Sequence, residues 1–295
     1  MTDKSPINLS HVAKSYGRSK QVLMDATLAI PEGSVVGLLG TNGSGKTTLI
    51  KCALGLLKPQ SGECRLLGEP SWNLSAAAKT RIGYVPQIPV LFKWAKVGQL
   101  ISYTSSFYPR WNRELVETLL KTWSLSANAR IYPLSSGELQ KLAIILAMGH
   151  EPDLLILDEP AASLDPMTRR GFLRLIIDIA EPGKRTVLFS THIISDLERV
   201  ADSAAILKDG RIVYHGLIDD LKDQVKRLHV VARRALPERL DIPGTLHEKI
   251  NGTEAFVSVR DSTSELVSQT ADRLQANVDV EPLNLEDIFL EMHHV

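Results

Sequence analysis

The octapeptide Gly40-Thr41-Asn42-Gly43-Ser44-Gly45-Lys46-Thr47 sets glycines, a lysine and a hydroxyl residue in the G-x-x-x-x-G-K-[ST] spacing. Glycines let a backbone curl tightly, so that successive N–H groups point inward at phosphate oxygens. A helix leaving such a loop adds the positive end of its dipole. Lys46 would reach β- and γ-phosphates and the Thr47 hydroxyl would ligate Mg²⁺. Gly40, Asn42, Gly43, Ser44, Gly45 and Thr48 complete the expected cradle. A glycine-rich turn with a merely connecting role would need neither Lys46 nor Thr47. The octapeptide therefore predicts binding of a nucleoside triphosphate.

Two further groups suit the same chemistry. Leu154-Leu155-Ile156-Leu157-Asp158-Glu159-Pro160 is an apolar strand ending in two carboxylates. Asp158, at the carboxyl end of the strand, is placed to hold the hydration shell of Mg²⁺. Glu159, one residue on, points elsewhere and can polarise a water that attacks the γ-phosphate. A strand followed by a solvated acidic turn is the plain alternative, and it weakens beside a phosphate loop. Phe189-Ser190-Thr191-His192, a second strand, ends in a histidine 33 residues after Glu159, room for one helix and a return to the neighbouring strand. Of the eight histidines only His192 is assigned to chemistry; the others read as structural or exposed.

The elements that must carry these residues alternate strand and helix to about residue 220, the pattern of a mainly parallel sheet covered by helices. The clearest strands are Val35–Leu39, Leu154–Leu157, Thr186–Ser190 and Ala204–Leu207, and a helix follows the loop over Thr48–Leu54. Ile7–Val12 and Gln21–Ile30 alternate apolar and polar residues, which predicts an antiparallel edge. From about Leu91 to Gly149 helical periodicity replaces strands, and three of the four tryptophans (Trp94, Trp111, Trp123) fall there, predicting an inserted helical lobe. The expected division is residues 1–222 as the nucleotide-binding domain and 223–295 as a small α+β module. In that module Leu228–Ala232, Ala255–Val259 and Val278–Val280 read as strands, with helices over Ser264–Leu274 and Leu285–Met292.

With these motifs in place, residues 7 to about 220 resemble the ATP-binding subunit of an ABC transporter, an α/β phosphate-loop NTPase fold with an antiparallel β subdomain and a helical lobe. Gln87, in Tyr84-Val85-Pro86-Gln87, matches the family's Q-loop. Leu134-Ser135-Ser136-Gly137-Glu138 matches the signature, usually Leu-Ser-Gly-Gly-Gln. Ala162-Ser163-Leu164-Asp165 matches the D-loop, His192 the switch histidine and Tyr16 the aromatic that stacks on adenine. The resemblance implies two copies, most simply a homodimer, sandwiching two ATP molecules head to tail. Each nucleotide would meet Lys46 and Thr47 of one copy and Ser135 with the Gly137 backbone of the other. Serine hydroxyl and glycine N–H are donors suited to a γ-phosphate and lost when it leaves. Glu159 would act as base, His192 would contact the γ-phosphate, and Gln87 would sense Mg²⁺ and a transmembrane partner.

Three positions depart from the family pattern. Ser136 replaces a glycine, so a positive φ there would cost on the order of 1 kcal/mol. Glu138 replaces glutamine, placing an anion near the nucleotide unless it turns to solvent or a cation. Ala162 replaces the usual D-loop serine and removes one hydrogen bond across the dimer. Together they predict a competent ATPase that is slower or dimerises more weakly. Phe107-Tyr108-Pro109-Arg110-Trp111-Asn112 has two readings, aromatics packed inside the lobe, which is favoured, or a contact for a membrane partner; Phe92 and Trp94 are the better docking candidates.

Lys+Arg and Asp+Glu are both 34, and this zero net charge argues against a general nucleic-acid binder. Neither the N-terminal residues nor any apolar run, Leu142–Met148 being among the longest, has the length of a signal core or a membrane span. Cys52 and Cys64 lack metal-type spacing and read as buried thiols of a reducing cytosol. The expected location is the cytoplasmic face of the inner membrane, reached through a separately encoded permease. Leu283-Asn284-Leu285-Glu286-Asp287-Ile288-Phe289-Leu290 resembles the tail of ABC-2-type exporter subunits, which points to export. An importer subunit and a soluble ABC ATPase of complex assembly share the catalytic motifs and stand as the alternatives.

Overall fold

The computed structural model describes residues 5–17, 20–179 and 185–293; residues 1–4, part of the N-terminal reading, lie outside the described residues. The chain forms two compact units, Met1–His215 and Gly216–Val295.

The first unit is organised by a ten-stranded sheet. Its strands are β1 (Ile7–Tyr16), β2 (Lys20–Ile30), β3 (Val35–Leu39), β4 (Ser61–Leu66), β5 (Glu69–Pro70), β6 (Ile82–Val85), β7 (Leu154–Asp158), β8 (Thr186–Thr191), β9 (Ser203–Lys208) and β10 (Arg211–Leu217), in the order β5-β4-β1-β2-β10-β9-β3-β8-β7-β6. Parallel pairings β6·β7, β7·β8, β8·β3 and β3·β9 make the half that carries the chemistry. Every residue of β3, β7 and β8 is buried, and apolar residues fill β3, β7 up to Leu157 and the middle of β8, Val187–Phe189. β1 pairs antiparallel with β2 and with β4, so the alternating strands near the N-terminus are interior members of the antiparallel half, with β5 at its edge. Sequence periodicity missed β4 and β6, which are short and half polar or interrupted by Gly83.

Helix α1 (Lys46–Ala53) leaves β3, followed by the single turn α2 (Ala76–Lys79). The lobe is built from α3 (Val97–Ser105), α4 (Arg113–Thr122) and α5 (Ser136–Met148). Asn112 caps α4 by accepting the Leu115 N–H at 2.9 Å, and Val116, Leu119 and Trp123 turn inward. Tyr108 stacks on His150 at 3.9 Å, and Trp111 lies over Gly149, where an added Cβ would fall 2.5 Å from the indole. Tyr108 and Trp111 are therefore packing residues, whereas Phe107 is 59% exposed. Helices α6 (Pro166–Ile179) and α7 (Ile194–Val200) complete the unit, tied by Arg169 donating to both oxygens of the buried Asp196 at 2.9 and 2.8 Å.

The second unit begins with α8 (Ile218–Gln224) and holds a four-stranded antiparallel sheet of β11 (Val225–Ala232), β12 (Thr245–Asn251), β13 (Glu254–Arg260) and β14 (Ala276–Pro282), in the order β12-β13-β11-β14. Its core is Leu228, Val230, Ala255, Val257 and Val259, covered by Leu240, Ile242 and the apolar face of α9 (Ser264–Leu274). The closing helix α10 (Leu285–His293) buries Leu285, Ile288 and Phe289, and Arg227 and His247 both hold its Glu291 at 2.8 Å.

Candidate functional site

The phosphate loop joins the buried end of β3 to α1. Gly45 is the residue before α1 and has φ 109°, a backbone conformation closed to side chains, and a Cβ there would meet Val22 and Leu23 at 3.1 Å. The glycine thus lets β2 press against the loop. Lys46 Nζ folds back to donate to Gly40 O at 2.8 Å and Thr41 O at 3.3 Å, and pairs with Glu159 Oε1 at 3.2 Å; Lys46 and Glu159 are each 6% exposed. The Ser44 hydroxyl is buried without a protein partner in the loop.

Opposite the loop stand the ends of two neighbouring strands. β7 and β8 run parallel with Asp158 beside Ser190. Ser190 Oγ donates to Asp158 Oδ1 at 2.7 Å and accepts the Glu159 N–H at 2.9 Å. Glu159 has φ 48°, a conformation costing an L-residue roughly 1–2 kcal/mol. That backbone turn is held by the Ser190 bond and swings the Glu159 side chain toward the loop. Its second oxygen, Oε2, meets His192 Nδ1 at 2.8 Å. Asp158 is fully buried, and its Oδ2 has no protein partner. A fully buried carboxylate oxygen left open next to a phosphate loop is suited to ligate Mg²⁺ or to accept a hydrogen bond from its water, so this residue set fits the ion. Tyr84, on β6, is pushed up to about 12 by burial and then by the Asp158 charge, and its hydroxyl stays a neutral phenol.

A cavity of about 230 Å³ gathers Tyr16, Asn42, Gly43, Gly45, Lys46, Thr47, Thr48, Gln87 and Glu159, nine of the residues expected from sequence. It adds Lys20 and Val22 from β2, which the sequence reading did not assign. Tyr16 is 46% exposed, with its hydroxyl 3.4 Å from Thr48 Oγ1 and Lys14 Nζ 6.0 Å from its ring centroid. Asp158, His192, Gly40 and Ser44 do not line the cavity; Asp158 is linked to Glu159 through Ser190, and His192 contacts Glu159 directly. Ser190 lies in the Phe189–His192 run without belonging to any motif; its signal in the sequence is a serine one residue before a strand end, where the neighbouring strand ends in a carboxylate.

The signature residues do not line this cavity. Ser135 is the N-cap of α5, and Ser136 is its first helical residue, so the strain expected of Ser136 does not arise: it has no positive φ. Glu138 turns back on Ser135, accepting from its N–H at 2.8 Å and from its hydroxyl at 2.7 Å. Gly137 packs against the D-loop, where a Cβ would fall 2.8 Å from Ser163 O. Asp165 caps α6, accepting the Met167 and Thr168 N–H groups, and lies 3.8 Å from Lys141 Nζ. Ala162 sits in the turn after Glu159, its N–H reaching Glu159 O at 3.3 Å.

A phosphate loop facing a carboxylate pair and a histidine, on a parallel core with an antiparallel extension and a helical lobe, defines a phosphate-loop ATPase. The ABC transporter family model matches residues 23–162. The Nod factor export ATP-binding protein I of Burkholderia orbicola (strain AU 1054) is 32% identical over 298 residues, 98% of this chain and 97% of that protein. A solved ATP-binding subunit of an ABC transporter superposes with a TM-score of 0.67 at 28% identity, over 74% of this chain and 92% of that one. A dimeric ATP-binding cassette in a post-hydrolysis state, bound to ADP and Pi, superposes with a TM-score of 0.64 at 25% identity, over 72% and 98%. This chain belongs to the ABC transporter ATP-binding family and is the ATPase subunit of such a transporter. Among the described residues no helix is long and apolar enough to cross a membrane.

Proposed function

We propose that two copies of this ATPase close head to tail on two ATP molecules, and that closing and reopening drive a separately encoded permease in the export direction. The observation that carries this reading is the convergence of Lys46, Glu159 and His192 on one point, with Lys46 Nζ 3.2 Å from Glu159 Oε1 and His192 Nδ1 2.8 Å from Glu159 Oε2. Glu159 is the base for the attacking water, and its strained backbone is the kind of feature that functional sites retain. Lys46 and the loop N–H groups hold the β- and γ-phosphates, Tyr16 covers the adenine, and His192 reaches the γ-phosphate. Mg²⁺, when bound, neutralises charge on the phosphates. Thr47, Gln87 and the open Asp158 Oδ2 are the groups that would hold it. Ser135, Ser136, Gly137 and Glu138, with the D-loop Asp165, serve the nucleotide of the opposite copy. The dimeric solved cassette supports the two-copy arrangement.

The docking surface for the permease is an aromatic row on the helical lobe. Phe92 and Trp94 stack at 5.9 Å, Phe92 meets Tyr103 edge-on at 5.8 Å, and Tyr103 meets Phe107 at 5.0 Å. Trp94 is 79% exposed and Val90 92% exposed, and rings grouped this way in the open mark an interaction site. The permease would hold the chain at the cytoplasmic face of the membrane. Export is supported by the full-length relative named for Nod factor export and by the tail that forms α10. The second unit, residues 223–295 in functional terms, strengthens or regulates the dimer.

The test is affinity purification of a tagged Glu159→Gln form, held with ATP, from native membranes in mild detergent. Recovery of a multi-span protein supports the transport reading and would point to the cargo. Recovery of soluble partners alone overturns it in favour of an assembly ATPase.

A further inference from the structure

Both donors of the signature serine end on one atom. The Ser135 N–H and O–H reach Glu138 Oε2 at 2.8 and 2.7 Å, and the Glu138 N–H reaches Ser135 Oγ at 3.3 Å. This closes a capping box at the start of the 13-residue helix α5. Hydrogen bonds from the Ser135 backbone and side chain hold the Glu138 carboxyl below its usual range, with Lys141 adding to the effect, so the group is an anion near neutral pH. A carboxylate and a γ-phosphate are both acceptor-only anions, and both are stabilised by the same helix N-terminus. They cannot share the single Ser135 hydroxyl proton. A glutamine at this position would instead offer a neutral amide, whose NH₂ complements phosphate.

We infer that Glu138 is an intramolecular competitor of the γ-phosphate: its carboxylate occupies the Ser135 hydroxyl, raises the ATP level needed for closure, and recaptures the hydroxyl when the phosphate leaves. This rests on the reading that Ser135 of one copy faces the nucleotide of the other. It makes Glu138 a positioning residue acting through Ser135. Lys141, one helical turn on, is the cation left to receive the displaced carboxylate. Its side chain is 16% exposed and its Nζ stands 3.8 Å from Asp165 Oδ2 of the D-loop. Release of Ser135 to the phosphate would thereby draw Lys141 away from Asp165, linking signature occupancy to the loop that precedes α6.

The experiment measures dimer formation against ATP concentration by sedimentation velocity, using the full chain in the Glu159→Gln background. Glu138→Gln is expected to lower the half-closure ATP concentration about five- to tenfold, within the usual range of coupling between sites. Lys141→Gln is expected to raise it, and the Glu138→Gln/Lys141→Gln double variant to behave as Glu138→Gln alone, because the displaced charge no longer exists. The gap between Glu138→Gln and its parent should narrow as salt rises, because it originates in a single charge. Closure with an unchanged or higher midpoint in Glu138→Gln overturns the inference and leaves the two-copy reading standing. Additive effects in the double variant overturn the role of Lys141. Absence of closure in every variant overturns the two-copy reading, and the inference falls with it.

Discussion

Glu159 and His192, 33 positions apart, meet at 2.8 Å because β7 and β8 are parallel neighbours in register at Asp158 and Ser190. The contact orients the imidazole through its Nδ1. On its other side Glu159 holds Lys46 at 3.2 Å, so one buried carboxylate is shared between Lys46 and His192.

Replacing Glu159 by Gln removes the basic oxygen but keeps the shape. ATPase turnover is expected to fall by about 10²–10⁴-fold, the usual share of a positioned general base. ATP binding, followed by equilibrium titration, should persist. A loss of less than tenfold would assign the base to another residue.

Ser190→Ala would strip Asp158 Oδ1 of its donor and leave the Glu159 N–H without an acceptor, both at buried positions. The expected cost is about 1–3 kcal/mol of stability, read as a lower urea midpoint. Turnover should fall as well, since Ser190 holds the positive φ of Glu159. A variant with wild-type stability and rate would show that the strained turn does not need this bond.

Trp94→Ala and Phe92→Ala remove rings that stand in the open, so each should shift stability by no more than about 0.5 kcal/mol. Recovery of the permease in the purification described above should nevertheless drop sharply. Unchanged recovery from the double variant would move the docking surface elsewhere on the chain.

His150 is held below its ordinary value of 6.5, by burial first and against the Ile82 and Leu146 carbonyls that favour its proton. The folded state therefore keeps this ring neutral where the unfolded chain would bind a proton. Stability is then complete above about pH 6.5 and falls as pH drops through the interval below it, by at most about 1.4 kcal/mol per pH unit. His215, likewise lowered by burial, contributes with the same sign. Thermal midpoints between pH 7.5 and 5.5 should decline less steeply in His150→Phe, which keeps the stack on Tyr108. Equal slopes would remove His150 as a source of the acid sensitivity.

The sequence by itself determined the chemistry of the nucleotide cavity. The octapeptide at Gly40–Thr47, the Asp158-Glu159 strand end and the Phe189–His192 run each constrain backbone and side chain locally, so spacing alone revealed them. Buried strands such as β3, β7 and β8 were legible from their apolar stretches, Val35–Leu39, Leu154–Leu157 and Val187–Phe189. Tertiary structure alone decided what depends on neighbours distant in the chain. Strand order put Ser190 beside Asp158, and the pressure of β2 on Gly45 brought Lys20 and Val22 to the cavity. The half-polar, mostly exposed β4, placed by its pairing with β1, had no signal of its own. At the signature the sequence revealed two substitutions but not their consequence. Ser136 is unstrained because α5 begins there, and Glu138 is an acceptor for Ser135 because helix geometry brings residues three apart into reach. Residue types can be read along the chain, but which donor meets which acceptor is set by the packing that brings them within 3 Å.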